Sequence, residues 1–213
     1  MTKLVPILIL GAAAMASPVG AQAQQPAAPA AETKSARVPS FVPADFTPPM
    51  LVEATGFKLV PLGPDVVKAD FDAYMSSIDH LQKTFTRSAR WPTPNITAAE
   101  SMRDMGGEQA LFRSRRSFDY SVLTPDGSRE RGSVYVSPSP VPGYDAIVRL
   151  WVTKADYDAG FDAELYAWVT KWVQAAWPFR KVAYPGRSID WQSWDAMVAA
   201  NRPGKAVAGQ AVP

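Results

Sequence analysis

Apolar side chains recur along the chain with two different periods, and the places where the period changes mark the elements. Residues 57–62 alternate Phe57, Leu59 and Pro61 with Lys58, Val60 and Leu62 up to Gly63-Pro64, which predicts a first strand. Pro64 then opens a helix in which Val67, Phe71, Tyr74, Ile78, Leu81 and Phe85 share one face and Asp70, Asp72, Ser76 and Asp79 take the others. Trp91-Pro92 and Pro94 cannot continue that helix. Thr97-Ala98-Ala99-Glu100 spells a capping box, so a second helix is expected from there to about Arg115, weakened at Gly106-Gly107 by about 1 kcal/mol per glycine.

Phe118, Tyr120 and Val122 alternate with Asp119 and Ser121, turn residues follow at 125–128, and alternation resumes from Ser133 to Val136, which predicts a hairpin. After a proline-rich loop, residues 146–152 are apolar almost throughout, as in a central strand covered on both faces. Phe161, Leu165, Trp168, Val169, Trp172 and Val173 share a helical face that must end before Trp177-Pro178. Residues 180–184 predict a fifth strand, and a last amphipathic segment carries Trp191, Trp194, Met197 and Val198. The expected order is βααβββαβα, an α/β (α+β) domain with a mixed sheet flanked by helices.

Both ends break these rhythms. Met-Thr-Lys, an apolar run of about 13 residues and the small-x-small triplet Ala21-Gln22-Ala23 read as a signal peptide over 1–23. The run is shorter than the roughly 20 residues a membrane-crossing helix needs, so a retained anchor is the weaker alternative. Residues 24–51 are rich in Pro and Ala and read as a linker, although Phe41, Val42, Phe46 and Leu51 offer an apolar half that can lie on the domain. The domain is expected over 52–200 and a disordered tail over 201–213. These readings imply a periplasmic or secreted protein with no stable membrane anchor after cleavage.

Composition narrows the chemistry. Lys and Arg number 22 against 20 Asp and Glu, which is not the basic excess of a nucleic-acid binder. No cysteine and one histidine, His80, exclude thiol nucleophiles, thiolate zinc and any site needing two imidazoles. Residues 156–162 have the opening spacing of a calcium loop, but Phe161 stands where glycine is required and Ala167 where glutamate is, so a polar loop feeding a helix is the competing reading and no metal is expected. Arg113, Arg115 and Arg116, joined by Arg129 and Arg131, make either a cationic patch or a solvated helix end. The tryptophans line a groove or fill the core.

The order of elements resembles the GNAT superfamily, the acyl-CoA N-acyltransferase fold. Leu59-Val60-Pro61-Leu62, the Trp91-Pro92 loop, the Thr97-x-x-Glu100 helix, residues 118–127 and 132–136, Trp151-Val152, and Trp177-Pro178-Phe179 through Arg187 all look like a bacterial GNAT-like family, over 57–187. The resemblance implies acetyl-CoA or another acyl-CoA in the cleft where the fourth and fifth strands splay, its pyrophosphate on the amides that start the third helix. Trp151, Val152, Gly160 and Phe161 would line that donor cleft. Of the superfamily's Gln/Arg-x-x-Gly-x-Gly/Ala signature the stretch 157–162 keeps only Gly160, with Asp156, Asp158 and Asp162 adding negative charge. Asp145 or Tyr184 would assist transfer to a small-molecule or protein amine. The alternative is a non-catalytic ligand- or protein-binding module that keeps the fold without binding acyl-CoA.

Overall fold

The structure is a computed structural model and describes residues 40–202. The leader expected at 1–23, the linker as far as 39 and the tail from 203 onward lie outside the described residues. Within them a six-stranded sheet runs in the order β1 (Val52–Ala54), β2 (Phe57–Pro61), β3 (Phe118–Leu123), β4 (Glu130–Pro138), β5 (Ala146–Val152) and β6 (Val182–Ala183). Each neighbouring pair is antiparallel except β5 and β6, which are parallel. Strand β1 was not expected. Its three residues are too short to display alternation, and it exists because Gly56, at φ 83°, turns the chain back onto β2.

The long first helix of the sequence reading is broken. A 3-10 turn at Pro64–Val66 leads into α1 (Val67–Met75), and α2 (Ile78–Leu81) follows after Ser76 and Ser77. At the break the Ser76 hydroxyl donates to the Ala73 carbonyl, and the Ser77 hydroxyl accepts the Lys154 amide at 2.9 Å. That contact, made far along the chain, displaces the local helical pattern. A π-helical turn at Gln82–Thr86 then ends on Arg87 in left-handed conformation. Helix α3 (Ala98–Arg113) starts on the expected capping box, with the Glu100 amide donating to the Thr97 hydroxyl and the Thr97 amide to the Glu100 carboxylate.

One face of the sheet holds the main core. Phe57, Leu59, Phe118, Tyr120, Val122, Val134 and Val136 pack on Phe161, Leu165, Val169 and Trp172 of α5 (Phe161–Ala176), the crossover helix between β5 and β6. It is preceded by an unexpected short helix, α4 (Lys154–Asp158), and α6 (Trp191–Ala200) closes the described chain. Phe41 stacks on Phe118 and Phe179, Phe46 packs on Trp177, and Val42 is buried, while Leu51 stays exposed. Arg115 donates to the carbonyls of Pro43 and Phe46, holding this stretch against the domain. The buried Val42 contributes about 1.5–3 kcal/mol, and the half-buried Phe41 and Phe46 each a fraction of what full burial would give. Arg115 is therefore a strut, and Arg129 and Arg131 bind Asp156, so the arginines do not form one patch.

Two features of the sheet prepare the site. Strand β4 approaches β5 so closely at Gly132 that a Cβ there would overlap the Trp151 carbonyl. Strands β5 and β6 pair only at Ala146 with Val182 and Ile147 with Ala183, and then part, leaving the edge of β5 from Val148 to Val152 open.

Candidate functional site

The parting of β5 and β6 makes a cleft of about 280 Å3. Val148, Leu150, Trp151 and Val152 form one wall and Tyr184, Pro185, Gly186 and Arg187 the other. Lys83, Arg87 and Arg149 bring positive charge to it, and Asp162 at the start of α5 pairs with Arg187 through two short contacts. Across the mouth, Arg87 holds Asp195 of α6 at 2.9 and 3.0 Å and lies 4.1 Å above the Trp191 ring, which itself rests on Gly186. Helix α5 begins at Gly160, φ 86°, without a side-chain cap, so its first amides are not consumed by a neighbouring hydroxyl or carboxylate.

The acids of residues 156–162 do not stand unopposed. Asp156 is buried, accepts from Arg129, Arg131 and Thr153, and points into that arginine pair. Burial works against its charge, but those hydrogen bonds prevail and hold its carboxyl below the usual range. Asp158 pairs with Lys154 and Asp162 with Arg187. The negative charge that the signature stretch carries is neutralised residue by residue.

Trp151, Val152 and Tyr184 all line this cleft. Burial and the neighbouring Tyr166 push the Tyr184 phenol up to about 12, which keeps its proton in place at neutral pH. Gly160 sits at the helix start beside the cleft. The Phe161 ring turns into the core instead, beneath the Arg131 guanidinium at 3.3 Å and edge-on to Phe57. Asp145 lies at the closed end of the splay, where its carboxylate accepts the amides of Arg180 and Lys181 at 2.7 and 2.9 Å and pins β6 to β5. It does not line the cleft. His80 packs 4.8 Å from Tyr157, and burial followed by the Lys154 charge lowers its pKa, so it is neutral at pH 7.

A second cavity, about 630 Å3, opens on the opposite face of the sheet between α1, α3 and strands β4 and β5. Tyr74, Phe85, Trp91 and Tyr135 supply rings, and Asp70, Asp104 and Glu108 supply acids. The buried polar layer beside it was not expected. Asp70, set among the solvent residues by its charge, is 3% exposed. Glu130 begins β4 fully buried and accepts from the hydroxyls of Ser121 at 2.5 Å and Ser133 at 2.8 Å. Asp119 is buried too, takes a bond from Ser117, and faces Glu108.

Two carboxyl pairs thus lie between helix and sheet. Burial, opposed by the hydrogen bond with Glu130 and reinforced by Glu108 and Asp104, pushes Asp70 up to about 7. Burial and then Glu108 push Asp119 up to about 8. Glu130 is driven well above the usual carboxyl range by burial and by Asp70. Two facing carboxyls are satisfied only when a proton sits between them, which is the chemical meaning of these directions. The available sequence signal was the polar phase of β3, Asp119 and Ser121, together with Ser133 across the hairpin. Alternation alone cannot distinguish a buried polar layer from a wet face.

The two cavities meet. Arg149 and Phe85 line both. Arg149 donates to the Phe85 carbonyl at 2.8 Å with its guanidinium 4.2 Å from the Phe85 ring centre, and Trp151 of the cleft donates its indole N–H to Tyr135 of the cavity at 3.1 Å. Among the described residues no group of three metal-binding side chains comes together, and no helix is long and apolar enough to cross a membrane.

No protein-family model matches the chain, and a search of curated proteins returns no match. Among solved structures, the ribosomal L7/L12 alpha-N-protein acetyltransferase RimL in complex with coenzyme A superposes with a TM-score of 0.50 at 16% identity, over 71% of this chain and 82% of that one. An acetyltransferase from Salmonella typhimurium that modifies the N-terminal serine of L7/L12 gives 0.47 at 15% identity, over 70% and 80%. The ribosomal-protein-S5-alanine acetyltransferase from Vibrio fischeri gives 0.47 at 13%, over 60% and 69%. The protein has the GNAT fold, with its six-stranded mixed sheet and flanking helices.

Proposed function

We propose that the protein is an N-acyltransferase, moving an acyl group from acyl-CoA in the β5–β6 cleft to an amine in the acid-lined cavity. The observation that carries this reading is the junction at Arg149 and Phe85, where a cationic cleft and an acidic, aromatic cavity share a wall. The residues present fit the donor. The open edge of β5 offers unpaired backbone groups to an amide-bearing arm, Trp151 and Val152 bound it, and the uncapped start of α5 at Gly160 and Phe161 offers amides to phosphate oxygens. When bound, acyl-CoA supplies the activated carbonyl. Tyr184 would give the departing thiolate its proton as the C–N bond forms and the C–S bond breaks, and the attacking amine, which must be neutral, would lose its protons through a cavity carboxylate to solvent, from which Tyr184 is reprotonated. Asp145 keeps the closed end of the splay in register.

The leader reading adds export to the periplasm or medium, with cleavage after Ala23. Mass spectrometry of the protein recovered from cells tests this, because an intact Met1 terminus contradicts it.

A non-catalytic binding module is the second reading, favoured by the small size of the cleft and by the Arg87–Asp195 bridge across its mouth. Titration of acetyl-CoA against the melting temperature separates the two. The enzyme reading predicts a saturable rise that Gly160→Glu abolishes. No shift at millimolar acetyl-CoA overturns it.

A further inference from the structure

Four carboxyl side chains, Asp70, Glu108, Asp119 and Glu130, occupy one layer between α1, α3 and the sheet, and among the described residues none is salt-bridged. Buried acids without cations are costly unless protonated or awaiting a positive ligand. Two further features say which. The Oγ of Ser101, a residue 2% exposed, and Oε2 of Glu108 have no hydrogen-bond partner, and both residues line the cavity of about 630 Å3. Much of the rest of the wall is aromatic and aliphatic, with Tyr74, Phe85, Trp91 and Tyr135 beside Met105 and Leu111, while Arg103, Asp104 and Arg149 add charged groups to it. Acceptors at the floor and π-faces around them complement an ammonium carried on an apolar body. The volume suits one small molecule.

We propose that this cavity binds a small apolar amine as its ammonium, and that the ammonium displaces the proton held between Asp70 and Glu130. The exchange conserves charge: one R–NH3+ enters, Asp70 becomes carboxylate against it, and one H+ leaves to solvent. The groups facing Asp70 are Tyr74 from its own helix, Asp104 and Glu108 from α3, and Glu130 and Tyr135 from β4, with Arg149 of β5 also on the cavity wall. Two guanidiniums share the wall, that of Arg149, which is committed to the Phe85 carbonyl, and that of Arg103 from α3; the groups directly about Asp70 are acids and phenols, so a cation is drawn to the Asp70 end of the cavity. The inference extends the acceptor side of the proposed reaction. Its test uses no acyl donor, so amine binding without acyl transfer would overturn the enzyme reading and leave this one standing.

The test is calorimetric titration of the full chain at pH 7 with 2-phenylethylamine, in two buffers of different ionisation enthalpy. The neutral isostere 2-phenylethanol and a short peptide with a free N-terminus serve as competing ligands. Saturable amine binding is expected, with the alcohol and the peptide each at least about tenfold weaker. The heat should differ between buffers by an amount equal to about half to one proton released per amine. Asp70→Asn should remove the buffer dependence and weaken binding by about tenfold or more. Leu111→Trp should block the cavity without altering its acids. Four results overturn the proposal: no amine binding at millimolar concentration, buffer-independent heat in the unmodified protein, equal or tighter binding of the alcohol or the peptide, or unmodified binding by the folded Leu111→Trp variant.

Discussion

Replacing Asp70 by asparagine removes one proton-binding group from the buried layer and leaves its shape almost unchanged. In the folded chain that carboxyl is pushed from its ordinary 3.8 to about 7. A gap of about three powers of ten in proton affinity, at about 1.4 kcal/mol each, amounts to about 4 kcal/mol. The folded state holds this proton more tightly than the unfolded state does. The stability it contributes is therefore fully present below about pH 4 and is lost as pH rises through about 7. Asparagine has no such dependence. Relative to the unmodified protein, Asp70→Asn should therefore gain stability between pH 5 and pH 8.5; about two of those three powers of ten lie inside this window, so the gain is at most about 3 kcal/mol. Loss of the bond with Glu130 lowers that to about 2 kcal/mol at pH 8.5. At about 2–4 °C per kcal/mol for a domain of this size, the melting temperature should rise by about 4–8 °C. Calorimetric melts of both proteins at pH 5 and pH 8.5 measure it. A difference between them that does not change with pH, or a variant less stable at pH 8.5, refutes the reasoning.

Other substitutions test other parts of the account. Thr97→Ala removes the hydroxyl that receives the Glu100 amide and should cost about 1 kcal/mol in urea denaturation, with the cleft unaffected. Gly132→Ala forces a methyl group onto the Trp151 carbonyl of the neighbouring strand; because backbone must move, the loss should be at the upper end of overpacking, about 3 kcal/mol or more, with a lowered denaturation midpoint. Tyr184→Phe takes away the proton held in the cleft and should lower kcat by about a hundredfold while acetyl-CoA still shifts the melt, which separates proton donation from binding.

Much of the architecture is legible in the sequence because local signals and tertiary packing agree there. The capping box at Thr97 sets the start of α3, and the apolar run at 146–152 is the strand covered on both faces. The failures share a cause. Helix α1 ends early because Ser77 answers the Lys154 amide, a partner that no window around Ser77 contains. Asp70 lies three residues after Val67 and four before Tyr74, so its phase is inward, toward the sheet face that carries Glu130, and only its charge set it among the solvent residues. The same ambiguity hid Asp119, since a strand with both faces buried still alternates when one buried layer is polar. Trp151, Val152 and Tyr184 line the cleft, and the charge of Asp156 is offset by Arg129 and Arg131, which lie about one hairpin away in sequence and directly against it in space.

The most direct test of acyl transfer uses the chain's own composition. It contains no cysteine, so any thiol that appears when the protein is mixed with acetyl-CoA and 2-phenylethylamine comes from the thioester. Thiol release should require the amine, saturate with both substrates, match the amount of N-acetylated amine formed, and disappear in Gly160→Glu. Protein that is folded by its melting transition but releases no amine-dependent thiol contradicts the account.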